Sequence, residues 1–171
     1  MIKQIKTLVF GALFMTLALN SFGQKFGYIN SQELLVAHPD VKAADTQLKT
    51  FSDQMMAKGK KMVSAFEANY QKYAQQVEAG TLSKLQMQET ERVLGEEQKA
   101  IQQFEVEMQQ KVAAEREKVY SPILDKVKTT IEAIGAEEGY TMIFDTSTGS
   151  LVYATPTEDL MAKVKSRLGI Q

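Results

Sequence analysis

The feature that most constrains this chain is a run of about one hundred residues, Asp40 to Gly139, in which apolar side chains recur at helical spacing with a single weak point near Glu78–Ser83. Val41, Ala44, Leu48, Phe51 and Met55 are separated by alternating steps of three and four, and the pattern resumes at Met62, Phe66, Tyr70, Tyr73 and Val77. Past the weak point come Leu94, Ile101, Phe104, Met108, Val112 and Val119. Such steps place each set on one narrow stripe, the seam of a coiled coil. The stripes mirror one another: Leu48 and Val112, Phe51 and Met108, Met55 and Phe104, and Phe66 and Leu94 have position numbers summing to about 160. Equal rise on both arms would bring those pairs level in an antiparallel helical hairpin folded at about residue 80.

The hairpin is expected to loosen towards its tip. Lys58, Gly59 and Ser64 interrupt the first stripe, Lys58, Asn69, Lys72 and Gln76 dilute its distal half, and Lys84–Gln103 has few large apolar groups. Gly59 costs ~1 kcal/mol of helix propensity relative to Ala. Lys58, Lys60 and Lys61 form a small basic cluster halfway along the first arm, read as a solvated helix face.

The first residues read as a leader. Lys3 and Lys6 precede the apolar run Thr7–Leu19, too short to span a bilayer comfortably, and Ser21 and Gly23 suit cleavage before Gln24. Polar Asn20 and Ser21 close that run, which argues against an uncleaved anchor. The mature chain is then about Gln24–Gln171 and is exported, with no transmembrane segment; contact with a membrane is at most peripheral. It has no cysteine, so neither disulfides nor lipidation through an N-terminal Cys can hold or anchor it. Of the 20 Lys and Arg residues two lie in the leader, leaving 18 against 21 acidic ones. A mildly acidic chain is a poor partner for nucleic acid, whose phosphates require a cationic surface.

Around the hairpin, local signals predict a small body. Phe26–Asn30 reads as a strand, and Asn30 with Glu33 reads as a capping box opening a short helix. His38-Pro39-Asp40 breaks it and starts the long helix, with Pro in its first turn. His38, the single histidine, reads as a turn or capping residue, since it has no His or Cys partner for metal. Ser83 with Gln86 caps the ascending arm. Pro122 is expected to kink or break it, and Ile123, Val127, Ile131 and Ile134 continue a wider apolar face that needs a sheet to pack on. Tyr140–Asp145 and Leu151–Ala154 read as strands joined by the turn-rich Thr146–Ser150, and Thr155 to Glu158 as a capping box for a last amphipathic helix. The fold class is α+β and mostly helical: residues 24–39 and 122–171 form a β-rich body of about three strands, with a hairpin arm over 40–121. So small a core with open strand edges favours burial against copies of itself.

Several of these segments, in this order and spacing, resemble the Skp (OmpH-like) periplasmic chaperones: Gly27–Asn30 with Ala37–Asp40, Glu115–Val127 around Pro122, Glu137–Asp145, Leu151–Ala154 and the Thr-Pro-opened final helix. The resemblance implies a homotrimer with a β-rich body and three helical arms around a cavity. It also implies an ATP-independent holdase for unfolded outer-membrane proteins. The best-studied members are strongly basic, and the acidic balance here departs from them. The body residues expected to support oligomerisation are Phe26, Tyr28, Ile29, Ile143, Phe144, Leu151, Val152 and Tyr153. Residues expected to touch clients are Met56, Met62, Phe66, Tyr70, Tyr73 and Met87, because thioether and aromatic groups adapt to varied apolar surfaces. Met55, Met62 and Met108 also fit the seam, whereas Met56 and Met87 fall off it.

No enzyme motif stands out. The chain has no phosphate-cradling Gly-rich loop, no Cys nucleophile and no cofactor or metal signature. The carboxylates of Glu96-Glu97 and Glu137-Glu138 are adjacent on helices and point apart. The alternative to a chaperone is an exported coiled-coil spacer or adaptor that binds a folded partner through the hairpin tip.

Overall fold

The computed structural model describes residues 24–149 and 151–170; the leader and its expected cleavage site lie outside the described residues. The order is β1 (Lys25–Ile29), α1 (Ser31–Ala37), α2 (Pro39–Glu78), α3 (Lys84–Glu138), β2 (Tyr140–Asp145) and α4 (Met161–Leu168), with short 3-10 turns at Thr146–Thr148 and Pro156–Glu158.

Local chemistry sets the helix ends. The Asn30 side chain accepts a hydrogen bond from the Glu33 N–H and opens α1. At the start of α2, His38 Nδ1 accepts from the Asp40 N–H at 3.2 Å while Pro39 occupies the first helical position. Ser83 and Gln86 exchange both bonds of a capping box at the start of α3. Between the long helices, Gly80 adopts φ 64°, a left-handed conformation that a side chain would strain.

Helices α2 and α3, of 40 and 55 residues, span ~60 and ~80 Å at ~1.5 Å per residue. They pair as an antiparallel hairpin. Gln47 Nε2 donates to Glu115 at 2.7 Å, Asn69 Nδ2 to Glu97 at 2.8 Å and the Tyr73 hydroxyl to Glu91 at 2.6 Å; near the base, the Tyr120 hydroxyl meets Asp45. These pairs centre on residues 81–83 rather than 80, because the turn itself occupies Ala79–Ser83. Gly59 is not an interruption of the stripe. A Cβ there would stand 3.2 Å from Phe104 Cε1, so the missing side chain is what lets Phe104 bury against the facing helix.

The expected break at Pro122 does not occur: α3 runs unbroken from Lys84 to Glu138 with Pro122 inside it. Beyond Pro122 the helix exchanges its partner. Val127 and Ile134 enter one core with Ile29, Leu34, Leu160, Val164, Leu168 and Ile170, flanked by Ile131, Tyr140 and Ile143. That packing keeps the helix continuous through a residue that costs it a hydrogen bond.

β1 and β2 form a two-stranded parallel sheet, with Phe26 opposite Met142, Gly27 opposite Ile143 and Tyr28 opposite Phe144. Leu151–Ala154 is not a strand in this chain, and Val152 and Tyr153 are 98% and 82% exposed. Alternating apolar residues supply strand propensity, but a strand also needs a hydrogen-bonded neighbour, and in the single chain this segment pairs with neither β1 nor β2. The free edge of β1 is instead touched by an isolated bridge between Tyr28 and Asp159 and by the Leu160 N–H donating to the Tyr28 carbonyl at 2.9 Å. Thr155 makes no side-chain cap; Pro156–Glu158 closes a 3-10 turn and α4 begins only at Met161. Its first N–H is taken by Asp159 Oδ1 at 2.8 Å.

Candidate functional site

Two surfaces follow from this arrangement, one on the arm and one on the body. On the arm, α2 and α3 bury a seam but are too thin to bury more. Ala44, Leu94 and Phe104 are buried, while Met55, Met62, Phe66, Tyr73 and Met108 are half-buried. Off the seam, Met56, Val63, Tyr70 and Val77 on α2 and Leu85, Val93 and Val106 on α3 are exposed, with Tyr70 at 56% and Leu85 at 76%. The apolar surface offered to solvent is therefore real but dilute, spread among Lys, Glu and Gln.

Of the six arm residues singled out in the sequence, Met56 and Tyr70 stand most open. Tyr70 lies over Phe66, their ring centroids 6.3 Å apart. Tyr73 turns its ring into the seam and is tied down by Glu91; that hydrogen bond, before burial, raises its phenol above the usual value. Met87, expected off the stripe, is half-buried instead. The numbering from Ser83 rather than from residue 80 turns it towards the partner helix.

Halfway along the arm an open apolar cleft of about 420 Å³ lies along the paired helices. It is lined by Met56, Gly59, Met62, Val63, Ile101, Phe104 and Met108, with Lys60 and Glu105 at its edges. A second depression nearer the body again uses Met56 and Met108. Sequence reasoning missed the cleft because it depends on Gly59 and Phe104 lying level. The seam arithmetic held that information only to within a residue or two.

On the body, β1 and β2 turn one face to the core and one outwards. Gly27 and Ile29 face inwards; a Cβ on Gly27 would come 2.9 Å from Leu160 Cδ1. Ile29 is 2% exposed and belongs to the chain's own core, not to an outer surface. Ile143 is half-buried, its Cδ1 3.3 Å from where a Cβ on Gly135 would sit. The outward face carries Phe26, Met142 and Phe144, all exposed, with the Phe26 and Phe144 rings 6.2 Å apart. Tyr28 and Leu151 are half-buried, and Val152 and Tyr153 are exposed.

Charged groups knit the body together. Glu138 accepts from Lys163 at 2.5 Å and Lys25 at 3.5 Å, and Arg167 pairs with Glu137 at 2.6 Å. The Lys163 hydrogen bond above all holds the Glu138 carboxyl below its usual range. Asp145, at the end of β2, accepts from the Ser31 hydroxyl at 2.5 Å and from the N–H groups of Ser31 and Ser147 at 3.1 and 3.0 Å. Among the described residues there is no cluster of three or more His, Cys, Asp or Glu able to hold a metal ion, and no helix long and apolar enough to cross a membrane.

Compared with known proteins, residues 25–168 match the family model described as outer membrane protein (OmpH-like). Among solved structures, the chain is similar to the crystal structure of a candidate outer membrane chaperone (OmpH-like) from Caulobacter crescentus CB15. The two share 19% identity and a TM-score of 0.73, over 85% of this chain and 83% of that one. No curated protein matches.

Proposed function

The chain belongs to the OmpH-like family of outer membrane proteins, and on that premise we propose that it is an ATP-independent periplasmic holdase for unfolded outer-membrane proteins. The observation that carries this reading is the arm. A two-helix hairpin displays Met56, Tyr70, Val77 and Leu85 singly among charged side chains, so its apolar surface is accessible without forming one aggregation-prone patch.

A holdase needs no fuel, because binding the unfolded chain lowers its free concentration by mass action. It needs many weak contacts held close together. Several arms on one body raise the effective concentration of each contact, so individually poor contacts retain a client. Methionine and tyrosine suit that task, since they adapt to differing apolar partners. The work is binding rather than catalysis.

Self-association through the body supplies the several arms. The outward face of Phe26, Met142 and Phe144, with Val152 and Tyr153, is the apolar area that a second copy would cover. We take the oligomer to be the homotrimer that the resemblance implies, its arms bounding a cavity, and the site of action to be the periplasm, reached through the leader before Gln24.

Native mass by light scattering tests the proposal, for the mature protein alone and after a urea-unfolded outer-membrane barrel protein is diluted into it. The expected result is a soluble, ATP-free complex of three chains with one client. A clean oligomer that leaves the barrel protein to aggregate would overturn it in favour of an adaptor whose hairpin tip binds a folded partner.

A further inference from the structure

Among the described residues His38 is the one buried polar residue, and it stands where the arm leaves the body, between the end of α1 at Ala37 and the start of α2 at Pro39. Its backbone ties the two helices together. The His38 N–H donates to the Leu35 carbonyl at 3.1 Å, and the His38 carbonyl accepts from the Val41 N–H at 3.1 Å. The ring is committed as well. Nδ1 accepts from the Asp40 N–H at 3.2 Å, so Nδ1 holds a lone pair and the proton of the neutral ring sits on Nε2. Nε2 is buried and has no hydrogen-bond partner among the described residues.

We infer that His38 is a pH-sensitive fastening between arm and body, closed by the neutral ring and released by the protonated one. A second proton has to go to Nδ1. There it would face the Asp40 N–H, donor against donor, at the positive end of a 40-residue helix. The charged ring would also be enclosed with no acceptor for its other nitrogen. One group works the other way: Asp40 Oδ2 lies 3.9 Å from Nδ1. That side chain is 59% exposed, so water weakens the attraction. It can take the new proton only if the ring turns away from the N–H that it now caps.

The other charged groups at this corner are paired or in solvent. Glu33 of α1 lies 3.8 Å from Lys165 of α4, and Glu115 of α3 accepts from Gln47 and Lys118. Lys42 of α2 and Asp125 and Lys126 of α3 are exposed. Release of the ring, and with it the first turn of α2, is therefore the response that the geometry offers to protonation. The sign follows from that exchange. Once released, an imidazole in water takes up its proton near pH ~6.5, so the fastening is complete above that range and weakens as pH falls through it. Under the holdase reading, arms with unfastened roots would swing more freely on the body, and their grip would follow pH. The fastening itself does not depend on that reading and is tested without a client.

The chain has one His and no Cys, so between ~pH 5.5 and ~pH 7.5 His38 is the side chain whose ordinary titration falls in the window. Hydrogen exchange of the full mature protein is read as protection relative to an unstructured chain at the same pH. The reporting amides are Ala43–Thr46, since the first four N–H groups of α2 have no partner within the helix. Their protection should fall about tenfold between ~pH 7.5 and ~pH 5.5, the effect of a proton bound only by the released ring. Ile131–Ile134, packed in the body core, should keep theirs. His38→Asn supplies an acceptor that does not titrate, and should show no such fall from whatever level its protection starts. Ring nitrogen NMR shifts of the wild-type protein give a check that needs no variant, with the proton expected on Nε2 at ~pH 7.5. A proton on Nδ1 at that pH would overturn the inference. So would wild-type protection that is flat with pH, or that falls equally in the Asn variant. A fall shared by the body core would overturn it too, because the response would then be global unfolding.

Discussion

Phe104 packs against the bare backbone of Gly59: its Cε1 stands 3.2 Å from the position of the absent Cβ, and the ring is 7% exposed. The residue that looks weakest by helix propensity is thus the one that lets the arm's helices approach at mid-length. Gly59→Ala should change stability little, since a propensity gain of ~1 kcal/mol offsets a tight contact. Gly59→Leu should cost ~1–3 kcal/mol by overpacking. Urea unfolding followed by far-UV circular dichroism compares the two, and a Leu variant as stable as wild type would contradict this packing.

Asp145 ties the end of β2 to the start of α1 through Ser31. Burial pushes its carboxyl up, but the hydrogen bonds from Ser31 and Ser147 outweigh that and bring it from 3.8 to about 2. With its native value depressed, the unfolded chain takes up the proton first as pH falls. The stabilisation is therefore complete above the unfolded value of 3.8 and is lost as pH drops towards about 2. Urea midpoints measured from pH 5 downwards, about the span over which such a group titrates, should fall less steeply for Asp145→Asn than for wild type. Parallel slopes would remove Asp145 from the acid response.

His38 is 2% exposed, and its Nδ1 caps α2 where the arm leaves the body. His38→Ala should lose a cap of ~1 kcal/mol together with the packing of the ring. His38→Asn keeps an acceptor at the helix start and should lose less. Thermal melts rank the three proteins, and an Ala variant equal to the Asn variant would show that the ring's packing, not its capping, matters.

Two apolar body residues should respond differently to the same charge. Ile143→Asp places a carboxylate against α3 and should unfold the body, since a buried unpaired charge is costly. Val152→Asp, at a side chain 98% exposed in the single chain, should leave the subunit folded but dissociate the oligomer. Circular dichroism with light scattering separates the outcomes. An intact oligomer in the Val152 variant would exclude that segment from the subunit contact.

Most of what was legible in the sequence is local. The caps at Asn30, His38 and Ser83 were readable because a capping bond joins residues two or three apart. The seam was readable because two stripes of one chain constrain each other, although the turn at Ala79–Ser83 shifted their level by a residue or two. Leu151–Ala154 reads as a strand because its residues favour one, yet pairing needs an edge elsewhere. Thr155 lost its capping role to Asp159 because Pro156 closes a tighter turn first. On the arm, Met56 lies off the stripe as its spacing implied, whereas Tyr70 and Val77, read as part of the stripe, are exposed, and Met87, read as off it, is half-buried. The cleft beside Gly59 required atomic register that periodicity does not carry.

The parallel pairing of β1 with β2 has a consequence for how the molecule comes into being. Phe26 meets Met142, so the sheet cannot exist until the whole arm has been made. Closing so long a loop from a disordered chain is slow, because its entropy must be lost before any contact rewards it. The hairpin shortens the path: once α2 and α3 zip from their turn, the two strands are delivered to one end of a stiff rod. The arm is then the scaffold on which its own body is assembled. Lesions at its base, where Asp45 meets Tyr120, should delay maturation more than lesions at its tip.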